Sequence, residues 1–125
     1  MSLNYAIRRI GDVVVLDLSG RIVFGQGAPH VLHELVREQI NQGCRKIFIN
    51  LKDLHQTDTA GLGALVSALS TVTSNGGTLR FCEANERLRE LLRMTRLDTV
   101  LNVSVDEATA IEAFTAKHLR KSSVA

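Results

Sequence analysis

The sequence predicts an α/β domain with a mixed sheet of about five strands and four helices, packed mainly on one face of the sheet. Two apolar runs separated by Gly11-Asp12 are typical of an antiparallel hairpin at the N-terminus. Three helix–strand alternations follow, and such alternation favours parallel strands joined by right-handed crossovers. The 125 residues suffice for one hydrophobic core, so we expect a single domain spanning 1–125.

The first elements are a hairpin and a helix. Residues 1–19 hold the two predicted strands, "LNYAIRRI" and "DVVVLDLSG". The segment 20–29 carries three glycines and the only proline of the chain, which predicts a connection. From His30 onward apolar residues recur at helical spacing, and Gly43 ends this helix.

The remaining elements alternate along the chain. "RKIFINL" is a continuous apolar run, typical of a strand in the middle of a sheet. The next segment, "KDLHQTD", is interpreted as a loop, and the second helix runs from it to Asn75. Later elements are predicted as a strand "TLRFCE", a helix "NERLRELLRMTRL", a short last strand "TVLNVSV" and a final helix over 106–118. The basic, polar tail 117–125 is expected to fray.

Composition argues against several classes of function. A formal net charge of +2, with 4% aromatic residues and no Trp, argues against a nucleic-acid-binding surface. No apolar run reaches 18 residues and the N-terminus lacks the apolar centre of a signal peptide, so we expect a cytoplasmic protein without membrane contact. Cys44 and Cys82 form no C-x-x-C pattern and are predicted to be buried thiols.

No catalytic, metal or cofactor site is predicted. His30 and His33 lie three residues apart on the first helix, but no third ligand is in register with them. The sequence contains neither a nucleophile elbow nor a glycine loop followed by Gly-Lys-Ser/Thr. The residues alone therefore give no support for a catalytic function.

The most informative stretch is "DTAGLGALV", where a strand gives way to a helix. Glycines at positions 61 and 63 each lower helix stability by about 1 kcal/mol relative to alanine, so a bare backbone is expected to have a use there. The first amides of a helix and its dipole attract negative charge, which suits a Thr59 hydroxyl that is alternately bare and phosphorylated. Asp58 and Thr59 are equally typical of a plain helix cap, and the residues alone leave both interpretations open.

A resemblance to a known family bears on this choice. "INLKDLHQTDTAGLGALVSAL", followed by "GGTLRFCEANERLRELLRMTRLDTVLNVSVDEATAI", resembles the STAS domain, in particular the bacterial anti-sigma factor antagonists. The resemblance covers about residues 4–115 and is carried by the strand ending in "NLKDL", the Asp-hydroxyl-x-Gly-Leu-Gly turn and the later "GG" before a strand. It implies a STAS-type fold and a regulatory binding protein.

The resemblance also implies partners. In that family the unphosphorylated antagonist binds an anti-sigma factor, which is itself a serine/threonine kinase of the histidine-kinase-like ATPase type. Binding frees a sigma factor and so regulates transcription. The kinase ends this binding by phosphorylating the antagonist, and a PP2C-type phosphatase restores it. The antagonist is thus a substrate of its partner and needs no cofactor of its own.

Matching position by position assigns the site residues. The phosphate acceptor is Thr59, the preceding acid is Asp58, and the rest of the docking turn is Ala60, Gly61, Leu62 and Gly63. His55 is expected to border this surface.

The chain departs from the family pattern in two places. The acceptor is threonine where the family most often has serine. Members also often carry Gly-x-Leu-Asp after the second strand, whereas this chain has "GRIV", so Val23 replaces the acid and Arg21 adds positive charge near the site. Arg21 is a candidate partner for a phosphate on Thr59.

Two alternative functions remain open at this stage. The first is an adaptor subunit of a stressosome-type or transporter-associated complex, since such modules keep the same turn. The second is a small-ligand or nucleotide-binding module that uses the same helix start.

Overall fold

A four-stranded mixed sheet is the centre of the computed structural model, which describes residues 3–23, 25 and 27–112. The strands follow each other across the sheet in chain order, as β1 (Leu3–Ile10), β2 (Val13–Ile22), β3 (Lys46–Thr57) and β4 (Thr78–Cys82). β1 and β2 are antiparallel, whereas β2–β3 and β3–β4 are parallel. The predicted α/β class and its N-terminal hairpin are therefore confirmed.

Helices cover both faces of the sheet unequally. The first four are α1 (Ala28–Asn41), α2 (Thr59–Ser74), α3 (Glu86–Met94) and α4 (Asp98–Leu101). They share one apolar core with the strands, to which α2 contributes Leu62, Leu65 and Val72. Residues 107–112 are also helical, and Ala110 and Ile111 pack on the opposite face of the sheet. The prediction that the helices lie mainly on one face is confirmed.

β2 and β3 are central because they can be buried on both faces. Each begins with a run of apolar residues, 13–16 in β2 and 47–49 in β3, and every residue of these runs is buried. Successive side chains of a strand point to opposite faces, so such runs fit strands that are covered on both sides.

β3 is longer than the sequence predicts. The segment "KDLHQTD", expected to be a loop, continues the strand as far as Thr57. The backbone supplies this extension, because β2 pairs with it through Ser19–Asp53 and Gly20–Leu54 after one register shift and through Ile22–Thr57 after a second. Only Leu54 among residues 52–57 is buried, so the side chains give no strand signal here.

The predicted last strand, "TVLNVSV", is wrong. Residues Asp98–Leu101 form the short helix α4, whose Leu101 is buried in the core. Asn102 then adopts a left-handed conformation with φ 51°, and a single residue, Ser104, forms a parallel bridge with Cys82 of β4. Burial of Leu101 thus overrides the β-branched composition of the segment.

The helical segment 107–112 is held against the sheet by polar contacts. Glu107 accepts hydrogen bonds from Arg8 Nη2 at 2.6 Å and from Asn50 Nδ2 at 2.8 Å. Arg8 also pairs with Asp17, and the Glu107 backbone N–H donates to Glu83 Oε2 at 2.9 Å. The end of the predicted helix 106–118, from residue 113, and the tail 117–125 lie outside the described residues.

Candidate functional site

The start of α2 is capped by Asp58. This residue is extended, with φ −121° and ψ −168°, and its carboxylate accepts a hydrogen bond from the Gly61 N–H at 3.0 Å. The Leu62 N–H donates to the Asp58 backbone carbonyl at 2.9 Å, which closes the first helical turn. A side-chain cap of this type contributes about 1 kcal/mol to helix stability. The predicted cap is therefore present.

Thr59 is the first residue of α2, and it is exposed. Its hydroxyl has no hydrogen-bond partner among the described residues, whereas the Thr57 hydroxyl donates to the Ile22 carbonyl at 3.1 Å. The two threonines therefore differ in role. Thr57 ties the end of β3 to the end of β2, and Thr59 presents its hydroxyl to solvent on a fixed helix start.

The two glycines of the turn have different environments. A methyl group on Gly61 would overlap the Thr57 hydroxyl oxygen and the Ile22 carbonyl oxygen. The bare backbone at Gly61 thus serves contact between α2 and the ends of β2 and β3. A methyl group on Gly63 would meet nothing within 4 Å, and this residue is exposed. The fold itself therefore requires Gly61 and leaves Gly63 unexplained.

Two residues of the predicted docking turn lie inside the domain. Gly61 is buried, and Leu62 is only 2% exposed because its side chain lies in the core. Both residues are turned away from solvent and support the turn from inside the domain. Ala60 is half-buried, which leaves Thr59 and Gly63 as the exposed members.

The residues expected to border the turn lie at the same end of the sheet. Arg21 and Gln56 are opposite each other in the β2–β3 register, and Arg21 Nη1 donates to Gln56 Oε1 at 3.1 Å. Val23 follows the end of β2 and is half-buried, and His55 is exposed near the end of β3. The parallel strands thus bring Arg21, Val23 and His55 to the edge from which α2 begins.

Sequence reasoning missed one supporting residue, Asn85. Its side chain donates to the Leu54 carbonyl at 2.8 Å and accepts from the Leu88 N–H at 2.9 Å, so it caps α3 and ties that helix to β3. A small cavity lies between these elements, and its lining includes His55 and Arg87. Asparagine before a helical run is a recognisable cap signal, although the sequence does not tell which strand it reaches.

Neither a metal site nor a membrane span occurs in the part of the chain that the structure describes. That part holds no group of three or more His, Cys, Asp or Glu side chains able to bind a metal ion. None of its helices combines the length and apolar character needed to cross a membrane. Cys82 is buried as predicted, whereas Cys44 is only half-buried.

Together, the fold and the site define an α/β domain that holds an exposed threonine at the capped start of a helix. The family model of the STAS domain matches residues 4–110. A Thermotoga maritima protein, assigned only provisionally as an anti-sigma factor antagonist, is 31% identical over 105 residues, which cover 83% of this chain and 92% of that protein. The chain belongs to the STAS domain family.

Further relatives agree with this assignment. The anti-sigma-B factor antagonist of Bacillus subtilis (strain 168) is 28% identical over 112 residues, covering 90% of this chain and 100% of that protein. A crystal structure from Thermotoga maritima, also of a provisionally assigned anti-sigma factor antagonist, matches with a TM-score of 0.77 and 26% identity. That match covers 87% of this chain and 92% of the crystallised one.

Proposed function

We propose that this protein is an anti-sigma factor antagonist, which binds an anti-sigma factor when Thr59 is unphosphorylated and releases it when Thr59 carries a phosphate. The observation that carries the proposal is the exposed Thr59 hydroxyl, without a hydrogen-bond partner in the described chain, directly after the capping Asp58. Membership of the STAS family and the names of relatives at 28–31% identity support it.

The switch works by charge without a change of fold. Phosphorylation adds roughly −1.5 to −2 charge, and here it falls beside the Asp58 carboxylate. That carboxylate already occupies the Gly61 N–H. The Gly61 N–H is therefore not available to bind the new phosphate, which remains a negative group on the surface. A partner docked against the turn would then have to desolvate two adjacent negative groups, which weakens binding.

The docking surface is centred on Thr59 and Gly63. Gly63 is exposed and has open space where a side chain would lie, so a partner backbone can approach α2 closely there. Arg21, Val23 and His55 border this surface from the ends of β2 and β3. Arg21, hydrogen-bonded to Gln56, gives this border a positive charge, and Val23 stands where an acid is common in the family.

The partners of this switch are those that the resemblance to anti-sigma factor antagonists implies. The anti-sigma factor is a kinase of the histidine-kinase-like ATPase type that supplies ATP and magnesium, and a PP2C-type phosphatase reverses the modification. The antagonist itself acts as substrate and binding partner, not as an enzyme. Because ATP-dependent phosphorylation and sigma-factor control occur in the bacterial cytoplasm, the proposal places the protein there.

The test compares three baits in a pull-down from lysate of the native host. They are the unmodified chain, Thr59→Glu, and Thr73→Glu, which adds the same charge at an exposed position in the last turn of α2. We expect the unmodified and Thr73→Glu baits to capture a histidine-kinase-like ATPase. The Thr59→Glu bait should capture at least tenfold less of it. Equal capture by all three baits would show that the helix start is a structural cap only.

A second measurement tests the modification itself. The captured ATPase is purified and incubated with ATP and the unmodified chain, and the phosphorylated residue is located by mass spectrometry. We expect phosphate on Thr59, no incorporation into Thr59→Ala, and continued incorporation into Thr59→Ser. Phosphate on another residue, with Thr59→Ala modified as fast as the unmodified chain, would contradict the assignment.

A further inference from the structure

β1 is the outer strand of the sheet, and it carries an unusual amount of exposed apolar surface. Its residues from 4 to 10 are all exposed. Six large apolar side chains are exposed in the described part of the chain, and three of them, Tyr5 (47%), Ile7 (43%) and Ile10 (41%), lie on this strand. Long exposed edge strands with apolar side chains are places where another strand adds to a sheet.

The two edge strands of the sheet, β1 and β4, differ in how far their outer edges are paired. The outer edge of β4 is partly paired, because the Ser104 N–H donates to the Phe81 carbonyl and the Glu83 N–H donates to the Ser104 carbonyl, each at 2.9 Å. β1 instead pairs with β2 in an uninterrupted register from Leu3–Gly20 to Ile10–Val13. No strand of the described part of the chain pairs with its other edge, which is a regular row of backbone groups.

The two arginines of β1 do not block this edge. Charged side chains on edge strands usually discourage pairing with another chain. Arg8, however, turns back to Asp17 and Glu107, and Arg9 donates to Gln42 Oε1 at 3.2 Å. Since Arg8 is already paired with two acids of its own chain, the edge does not require an acidic partner.

The exposed side chains of β1 continue an existing apolar face. Tyr5 is opposite Leu18 and Ile7 is opposite Leu16, and both leucines belong to the core beneath α1 and α2. Tyr5 and Ile7 therefore lie on the helix side of the sheet, just beyond the area that the helices cover. An added strand with apolar side chains on the same side would extend this core.

We propose that β1 pairs antiparallel with β1 of a second copy of this chain, around a two-fold axis at Ala6. Each Tyr5 then lies opposite Ile7 of the second copy on the helix side, and Ala6 faces its own counterpart on the other side. Aromatic–β-branched pairs of this kind stabilise antiparallel strands. Registers centred on Arg8 or Arg9 would place like charges opposite each other, which is destabilising.

The resulting dimer has one continuous eight-stranded sheet and two independent switch sites. β2 separates β1 from β3, so pairing at β1 leaves both copies of the Thr59 turn accessible. A dimer with two such turns engages a dimeric or clustered partner with higher avidity than a monomer does. The dimer does not depend on the proposed function, because its evidence comes from a different part of the sheet.

Disulfide cross-linking tests the register. In a Cys44→Ser background, Ala6→Cys places two thiols directly opposite each other across the axis. The matched control Ile10→Cys lies on the same exposed face of the strand, but its two copies would be eight residues apart, about 27 Å. With oxidised glutathione as the oxidant, we expect Ala6→Cys to form a covalent dimer at least tenfold faster. Equal or slower dimer formation by Ala6→Cys would overturn the proposed pairing.

Sedimentation equilibrium of the full chain tests the interface without covalent cross-linking. We expect the unmodified chain to shift from monomer to dimer as its concentration rises, and Ile7→Lys to remain monomeric. Met94→Lys, which adds the same charge at an apolar position that is 75% exposed on α3, should dimerise normally. Circular dichroism verifies that both variants fold. An unmodified chain that stays monomeric, or Ile7→Lys that dimerises equally, would overturn the proposal.

Discussion

The two faces of the sheet are stabilised in different ways. On one face, α1–α4 enclose a single large apolar cluster that includes Leu16, Ile49 and Leu65, all 0% exposed. The other face has a small cluster of four buried residues, partly covered by Ala110 and Ile111. There the polar contacts of Glu107 and Arg8 supplement a limited apolar area. Apolar packing therefore dominates the first face, whereas the second combines a small apolar cluster with charged hydrogen bonds.

This difference has a functional side. The switch turn belongs to the packed face, because Leu62 and Leu65 of α2 lie in the core and Asp58 caps the same helix. We therefore expect this turn to keep its geometry when Thr59 is phosphorylated. The proposed switch consequently relies on surface charge, and the core stays unchanged.

The largest expected effect is on the packed face. Leu65→Ala removes a fully buried side chain from the middle of α2, and we expect it to lower the free energy of unfolding by about 2–5 kcal/mol. The matched control Ser67→Ala, at an exposed position two residues along, should change it by less than about 0.5 kcal/mol. Urea denaturation followed by circular dichroism measures both. A loss below about 1 kcal/mol for Leu65→Ala would show that α2 is not packed as described.

The next effect is expected at the join between α2 and the strands. Gly61→Ala forces a methyl group against the Thr57 hydroxyl and the Ile22 carbonyl, so we expect destabilisation by about 1–3 kcal/mol. Thermal and urea unfolding measure the change. The double variant Gly61→Ala/Thr57→Ala removes one of the two obstacles, and its loss should be less than the sum of the two single losses. Additive losses would mean that the two residues do not meet.

A substitution on the opposite face of the sheet is expected to lower the free energy of unfolding by a smaller amount. Glu107→Ala removes the acceptor shared by Arg8 and Asn50 and should lower the free energy of unfolding by roughly 1–2 kcal/mol. Glu112→Ala, an exposed glutamate of the same helical segment, is the control and should have almost no effect. Salt should reduce the difference between the two variants, because it screens the Arg8 pair. A difference that salt leaves unchanged would show that Glu107 acts by packing.

The same face gives the protein a pH dependence. Burial, together with the negative charges of Glu107 and Glu83, raises the pKa of the Cys82 thiol to about 12. An unfolded thiol ionises near 9.0, so above that pH the unfolded chain releases a proton that the folded chain retains. The contribution of the protonated Cys82 thiol to the free energy of unfolding is fully present below pH 9.0 and is lost as the pH rises towards about 12.

Comparison of cysteine variants tests this pH dependence. Urea midpoints of Cys82→Ala should fall less between pH 9 and 12 than those of the unmodified chain. Cys44→Ala, which removes the half-buried thiol instead, should keep the full loss. Equal slopes for the unmodified chain and Cys82→Ala would mean that the Cys82 thiol ionises as readily in the folded protein as in the unfolded one.

The packed face was easier to predict from the sequence than the opposite face. Local sequence signals predict its elements: the apolar spacing in α1 and α2, the Gly11-Asp12 turn and the Asp58 cap. The extension of β3 to Thr57 depends on backbone pairing with β2, and its exposed side chains give no strand pattern. The docking of residues 107–112 depends on Arg8, which lies 99 positions away in the chain, and no local signal reveals such a contact.

The candidate site could be described from the sequence only in part. The sequence locates the Asp-Thr pair and the two glycines. It does not tell that the fold requires Gly61 and not Gly63. Gly61 is required by contacts with Thr57 and Ile22, and those contacts exist only once β2 and β3 have paired. Gly63 has no such contact with the described residues, which agrees with the proposal that it lies on the docking surface.

The smallest expected effect on stability therefore carries the most information about function. Gly63→Ala adds a methyl group to an exposed helical position with open space around it, so we expect stabilisation of about 0.4–1 kcal/mol from the lower entropy of the unfolded chain. The same methyl group should hinder a partner backbone that approaches α2, and capture of the ATPase by this bait should fall at least fivefold. Ala60→Gly controls for helix propensity in the opposite direction, because it destabilises the helix start without adding bulk. If Gly63→Ala were more stable and still captured the ATPase fully, the docking surface would have to lie elsewhere on the molecule.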